Sequence, residues 1–175
     1  LLLLVVFGLS KLIPRGAVPS LKASPTPLPS VAAAQEGTSN LYTHPDFGFS
    51  VTLPNNWQAQ PQPVSGVANH LAFIDFLSQD KSVATIEVKD LPVDAVIATF
   101  RSEVGQTKNL RIVFEREVRL GNDYAKQLTV ADSTAKTETQ FRFLSQTGKT
   151  FIISGADTGF LDSFTFAAPT PKPAR

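Results

Sequence analysis

The clearest pattern in the chain is an alternation of apolar and polar residues within the stretch from Tyr42 to Trp57. Four apolar residues alternate there with small or polar ones: Phe47, Phe49, Val51 and Leu53. This period of two predicts a β-strand with one buried face. The sequences His44-Pro45-Asp46 before it and Pro54-Asn55-Asn56 after it are typical of turns. The stretch therefore predicts a turn, a strand and a second turn, and the apolar face needs another element to cover it.

The next residues predict a loop and a β-hairpin. Residues 58–65 are polar and contain two prolines, which favours a loop. Residues 70–77 are apolar on both faces, as expected of a central strand that is buried on both sides. After a turn at residues 79–81, Ala84, Ile86 and Val88 alternate with polar residues and predict a half-buried partner strand.

One segment has the spacing of an amphipathic helix. Pro92 is suited to the first turn of a helix, and Gly105 to its C-terminal cap. Apolar residues between them recur at the i, i+3, i+4 and i+7 spacing of one helical stripe: Val93, Val96, Ile97, Phe100 and Val104. We expect this helix to cover the apolar face of the first strand.

Four further strands and a closing segment complete the pattern. The strands are predicted at residues 112–120, 124–131, 137–145 and 150–155, and the closing segment is 159–166. Turn sequences separate the strands at 121–123 and 146–149. Many strands and one clear helix predict an α+β fold, in which few helices flank an antiparallel sheet.

The two ends of the chain differ from this domain in composition. Residues 1–13 form an apolar run that we interpret as a truncated signal or membrane-anchor segment, and so as a contact with a membrane. Residues 14–40 are rich in proline and predict a linker. The domain is predicted at 41–166, followed by a disordered tail at 167–175.

Charge and cysteine content exclude several classes of function. The predicted domain has 11 basic and 14 acidic residues, a net charge of −3, whereas a nucleic-acid-binding surface needs a basic stripe. Nucleic acid is therefore not an expected partner. The absence of cysteine excludes disulfides, thiolate nucleophiles and zinc–thiolate sites.

Few residues suggest chemistry. His44 and Asp46 lie two residues apart and could hold a metal if a further ligand approached; the alternative is an exposed turn. Asp75 lies within an apolar strand and is expected to have a partner such as an arginine, or to lie at a sheet edge. The sequence contains no G-x-S-x-G motif, and we predict that the protein is not an enzyme.

The order of these elements resembles that of the PsbP family of extrinsic photosystem II proteins. Four groups of residues carry the resemblance: Phe47-Gly48-Phe49 with Val51, Leu53-Pro54 and Trp57; Gly121 with Asp123-Tyr124-Ala125; Gly148-Lys149 with Phe151-Ile152; and Asp162-Ser163-Phe164. The resemblance spans residues 41–166. It implies a PsbP-like α/β/α sandwich, although the helix before the closing Ser-Phe pair is expected to be shortened or missing.

The resemblance also implies a function. Such a protein would lie on the lumenal side of the thylakoid membrane, associate with photosystem II core subunits and support the oxygen-evolving complex or its assembly through calcium retention. The candidate calcium ligands would be His44, Asp46 and Asp162. Cyanobacterial PsbP is typically a lipoprotein, and this chain has no cysteine to acylate, which favours a PsbP-like relative. The alternative is a membrane-tethered periplasmic or envelope binding domain with the same fold and no photosynthetic role.

Overall fold

A computed structural model describes residues 40–166 as ten β-strands and two α-helices. The predicted anchor segment, most of the predicted linker and the predicted tail lie outside these residues. In chain order the elements are β1 Leu41–Thr43, β2 Phe49–Thr52, β3 Trp57–Gln62, β4 His70–Ser78, β5 Lys81–Lys89, α1 Val93–Gln106, β6 Leu110–Leu120, β7 Asp123–Asp132, β8 Thr137–Gln146, β9 Lys149–Gly155, α2 Thr158–Asp162 and β10 Thr165–Phe166.

The strands form two antiparallel sheets. Seven strands make the large sheet in the order β3-β4-β5-β9-β8-β7-β6, and three make the small sheet in the order β1-β2-β10. The predicted α+β fold with an antiparallel sheet and few helices is confirmed. Among the described residues, neither helix is long and apolar enough to cross a membrane.

The main core lies between one face of the large sheet and the small sheet. Phe49 of β2 is fully buried, and its ring stacks on that of Phe164 at 5.4 Å between centroids. Phe151 of β9 contacts the Phe49 ring edge-on, at 6.0 Å between centroids. Phe160 of α2 closes the neighbouring space against Phe76 of β4 at 4.9 Å. The aromatic strand predicted from the alternation is therefore the centre of this core.

Helix α1 covers the opposite face of the large sheet, so the expectation that it covers the first strand is wrong. Four of the five residues of the predicted stripe are buried, and Val93 is half-buried: the buried ones are Val96, Ile97, Phe100 and Val104. Phe100 packs on Phe141 and Phe143 of β8, at 4.6 and 5.1 Å between ring centroids. Phe141 and Phe143 alternate along β8 and point away from the small sheet. Strand β2 is instead covered by β9, α2 and the closing segment.

Three local predictions also need correction. The predicted loop at 58–65 contains β3, an edge strand whose polar residues face solvent and whose proline is tolerated because only one side of the strand is paired. Strand β4 is consequently second from the edge and not central. Helix α1 passes Gly105 and ends at Gln106, where the backbone N–H of Thr107 caps it by donating to the carbonyl of Val104.

The remaining elements agree with the sequence pattern. Strands β4 and β5 form the predicted hairpin, and the four later strands are present as β6 to β9. The helix before the closing Ser-Phe pair is short, as expected: α2 has five residues. The three layers are therefore α1, the large sheet, and the small sheet together with α2.

Candidate functional site

His44 and Asp46, two of the predicted calcium ligands, share the turn between β1 and β2. The backbone N–H of Asp46 donates to His44 Nδ1 at 3.2 Å, so this nitrogen closes the turn. The His44 ring also lies against Phe47 and Phe49, at 5.0 and 5.2 Å between centroids. Burial lowers the pKa of His44, and the nearby Asp46 carboxylate opposes that shift in part. His44 is therefore tied to the aromatic core as well as to the turn.

Asp162, the third predicted ligand, lies at the end of α2 and pairs with a guanidinium group. Its Oδ1 is 2.6 Å from Nη2 of Arg142. Within residues 40–166 no group of three or more histidine, aspartate and glutamate side chains is placed to hold a metal ion. The structure thus brings His44 and Asp46 together and places Asp162 beside Arg142; calcium binding stays a prediction.

Arg142 is the least expected residue of this region, because it is an arginine with 2% exposure. It lies in the middle of β8 between two phenylalanines that face α1, so the alternation of the strand directs its side chain to the opposite face. Gln127 of β7 is directly opposite in register and is equally buried. Arg142 Nε donates to Gln127 Oε1 at 3.2 Å.

Two buried polar side-chain atoms at this place in the sheet have no hydrogen-bond partner among residues 40–166. They are Nη1 of Arg142 and Oε1 of Gln140, which is two residues earlier on β8 and therefore on the same face. A buried polar group without a partner costs free energy and calls for an explanation. We refer to Gln127, Gln140, Arg142 and Asp162 as the Arg142 cluster, and we take it as the candidate functional site.

Sequence reasoning named Asp162 but missed Arg142 and the two glutamines, for a physical reason. Arg142 alternates with phenylalanines, and in a sheet with one wet face that pattern places it in solvent. The cluster could have been found from Gln127, a second long polar residue that faces the same way on the adjacent strand. Strand pairing, however, has to be known before the two can be related.

A second polar group joins the ends of β4 and β5. His70 Nδ1 is 2.7 Å from Glu87 Oε1, and Lys89 Nζ is 3.4 Å from the same oxygen. Burial raises the pKa of Glu87, although Lys89 opposes this shift. Burial and the Lys89 charge both lower the pKa of His70. His70 is therefore a half-buried hydrogen-bond partner of Glu87.

Asp75 has a partner of a different kind from the one expected. The hydroxyl of Ser82 on β5 donates to Asp75 Oδ1, and the predicted arginine is not the partner. Asp75 faces Gln60 of the edge strand β3 in register, so it lies one strand from the edge. A hydroxyl is sufficient there because the carboxylate is only partly buried.

Comparisons with known proteins include a likeness that supports the fold. No protein-family model matches the chain, and no curated protein does. The fold is similar to the solution structure of cyanobacterial PsbP (CyanoP) from Synechocystis sp. PCC 6803, with a TM-score of 0.52 and 14% identity over 81% of this chain and 100% of that one.

Two other solved structures match with a TM-score of 0.35, which is too low to support an argument. They are the protein PA94 from Pseudomonas aeruginosa, with 13% identity over 78% of this chain and 100% of that one, and a protein from Bacteroides thetaiotaomicron, with 11% identity over 73% of this chain and 48% of that one. At these identities the comparisons show the fold alone. The domain has a PsbP-like α+β fold.

Proposed function

We propose that this protein is a non-catalytic, PsbP-like extrinsic protein that associates with photosystem II and supports its oxygen-evolving complex or the assembly of that complex. The observation that carries the proposal is the fold shared with cyanobacterial PsbP. The proposed location is the lumenal side of the thylakoid membrane.

The opening and closing motifs of the resemblance contact one another at the small sheet. Phe49 of the opening motif stacks on Phe164 of the closing motif. The backbone N–H of Thr52 donates to Ser163 Oγ at 2.9 Å, which fixes the closing segment to β2. These contacts are structural and build the fold. Any association with a partner would therefore use the surface of the domain.

Calcium retention is the finer part of the proposal, with His44, Asp46 and Asp162 as its candidate ligands. It is tested by the calcium dependence of oxygen evolution in membranes with and without the protein. We expect membranes without it to need more added calcium for full activity, and restored protein to remove that need. The same calcium requirement in both membranes would contradict this part alone.

The association itself is tested by a pull-down of the tagged full chain from mildly solubilised membranes of the source organism, read by mass spectrometry. We expect photosystem II core subunits to be enriched relative to a control that carries the tag alone. Recovery of envelope proteins without those subunits would overturn the proposal in favour of a membrane-tethered periplasmic or envelope binding domain.

A further inference from the structure

The guanidinium group of Arg142 is only partly used by the protein. An arginine offers five N–H donors in a planar fork, which matches a carboxylate best when two nitrogens bind its two oxygens. Here Nη2 binds one oxygen of Asp162, Nε binds Gln127, and Nη1 has no partner among residues 40–166. One arm of the fork that could receive a second carboxylate oxygen is therefore unpaired, although it is buried.

The carboxylate that occupies this fork is held from the solvent side. The side chain of Asp162 is 65% exposed, whereas that of Arg142 is 3% exposed. Water can solvate the exposed carboxylate when it leaves, whereas the buried guanidinium group needs another anion in its place, so Asp162 can be exchanged for a second carboxylate. Asp162 also lies at the end of a five-residue helix, where a change of its side-chain rotamer needs no change in the large sheet. A carboxylate from another molecule can compete with it.

The unpaired side-chain oxygen of Gln140 adds a second requirement for a ligand of this site, a hydrogen-bond donor. It is an acceptor on the same sheet face, two residues from the arginine, and it has no donor within residues 40–166. A carboxylate ligand that carries an N–H close to its carboxyl group would satisfy both atoms. The terminal residue of a peptide has this chemistry, since its backbone N–H and its carboxylate are attached to the same Cα atom.

We propose that the Arg142 cluster is a binding site for a peptide C-terminal carboxylate, which displaces Asp162, binds both Nη atoms of Arg142 and donates its N–H to Gln140. Asp162 then acts as an internal competitor that occupies the site when no ligand is present. The inference depends on the cluster alone and would hold for any partner of the domain.

The test uses three small probes and the full chain labelled with ¹⁵N. N-acetylglycine has the carboxylate and the N–H, N-acetylsarcosine lacks the N–H, and N-acetylglycinamide lacks the carboxylate. We expect N-acetylglycine to shift the side-chain signals of Arg142 Nε and the Gln140 amide in a saturable way. N-acetylsarcosine should bind severalfold more weakly, and N-acetylglycinamide should leave these signals unchanged. An equal response to all three probes, or none to any, would overturn the proposal.

Variants separate binding at the cluster from general effects. Asp162→Asn removes the competing charge and is expected to bind N-acetylglycine severalfold more tightly than the unaltered chain. Arg142→Lys loses the planar fork and should bind it at least severalfold more weakly. Asp80→Asn is the matched control, because Asp80 is an exposed aspartate in the turn between β4 and β5, and its affinity should not change. If Arg142→Lys does not fold, the Asp162→Asn result decides: unchanged or weaker binding contradicts the proposal.

Discussion

Two halves of one face of the large sheet are equally buried but have opposite chemistry. In one row across the strands, Ile74, Ile86 and Ile153 are paired in register and are fully buried. The same row continues through Arg142 and Gln127, each with 2% exposure. We call these the apolar half and the polar half.

The difference follows from what lies above each half. Aromatic rings of the small sheet and of α2 cover the apolar half, and burial there is favourable without any directional contact. The polar half contains hydrogen-bonding groups that must find partners once they leave water. It finds only some of them among residues 40–166, since Arg142 and Gln140 each keep one unpaired atom. The apolar half therefore provides stability, whereas the polar half is suited to binding.

The largest effect is expected from a change in the apolar half. Phe49→Ala removes a fully buried ring that contacts three other phenylalanine or tyrosine rings. Such truncations cost about 3–5 kcal/mol of unfolding free energy. Urea unfolding of the full chain measures it, with Phe114→Ala as the control, because Phe114 is 51% exposed. Similar losses in the two variants would contradict the role given to the apolar half.

A smaller and non-additive effect is expected in the polar half. Arg142→Met keeps the volume but leaves Gln127 Oε1 buried without its donor, which costs about 1–3 kcal/mol. The double variant Arg142→Met/Gln127→Leu removes both polar groups, and it should recover much of that loss. Urea unfolding of the two variants measures the difference. A double variant that is less stable than Arg142→Met would show that Gln127 does not depend on Arg142.

The smallest effect is a pH dependence on the aromatic side. Burial lowers the pKa of His44 below the ordinary histidine value of about 6.5, so the folded state favours the neutral ring. Its contribution to stability is present above pH 6.5 and is lost as the pH falls through the lowered pKa. We expect the unfolding free energy of His44→Gln to fall less between pH 7 and about pH 5.5 than that of the unaltered chain.

His70→Gln is the parallel variant, since burial and Lys89 lower the pKa of His70 in the same direction. Glu87 gives the opposite pH dependence, because burial raises the pKa of its carboxyl group and its contribution to stability is lost as the pH rises. A pH profile that neither histidine variant changes would contradict the prediction.

The sequence was sufficient for elements whose pattern is local. The alternation around Phe49 predicted β2, and the stripe that contains Phe100 predicted α1. The sequence was not sufficient for contacts between elements, because the pattern of a strand shows that one face is buried but not which element packs on that face. The helix was therefore assigned to the wrong partner. Arg142 was missed for a related reason: its burial depends on Gln127 and Asp162, which are distant in sequence.

The order of strands in the small sheet has a consequence for how the domain folds. Strand β2 pairs with β1, its immediate predecessor, and with β10, the last strand of the described chain. The ring of Phe164 therefore reaches Phe49 only after nearly the whole domain has been synthesised. Contacts between residues so distant in sequence slow folding, because a long loop must close first. During translation the aromatic face of β2 stays incompletely covered until the final residues emerge, so we expect nascent chains to need protection from aggregation until that point.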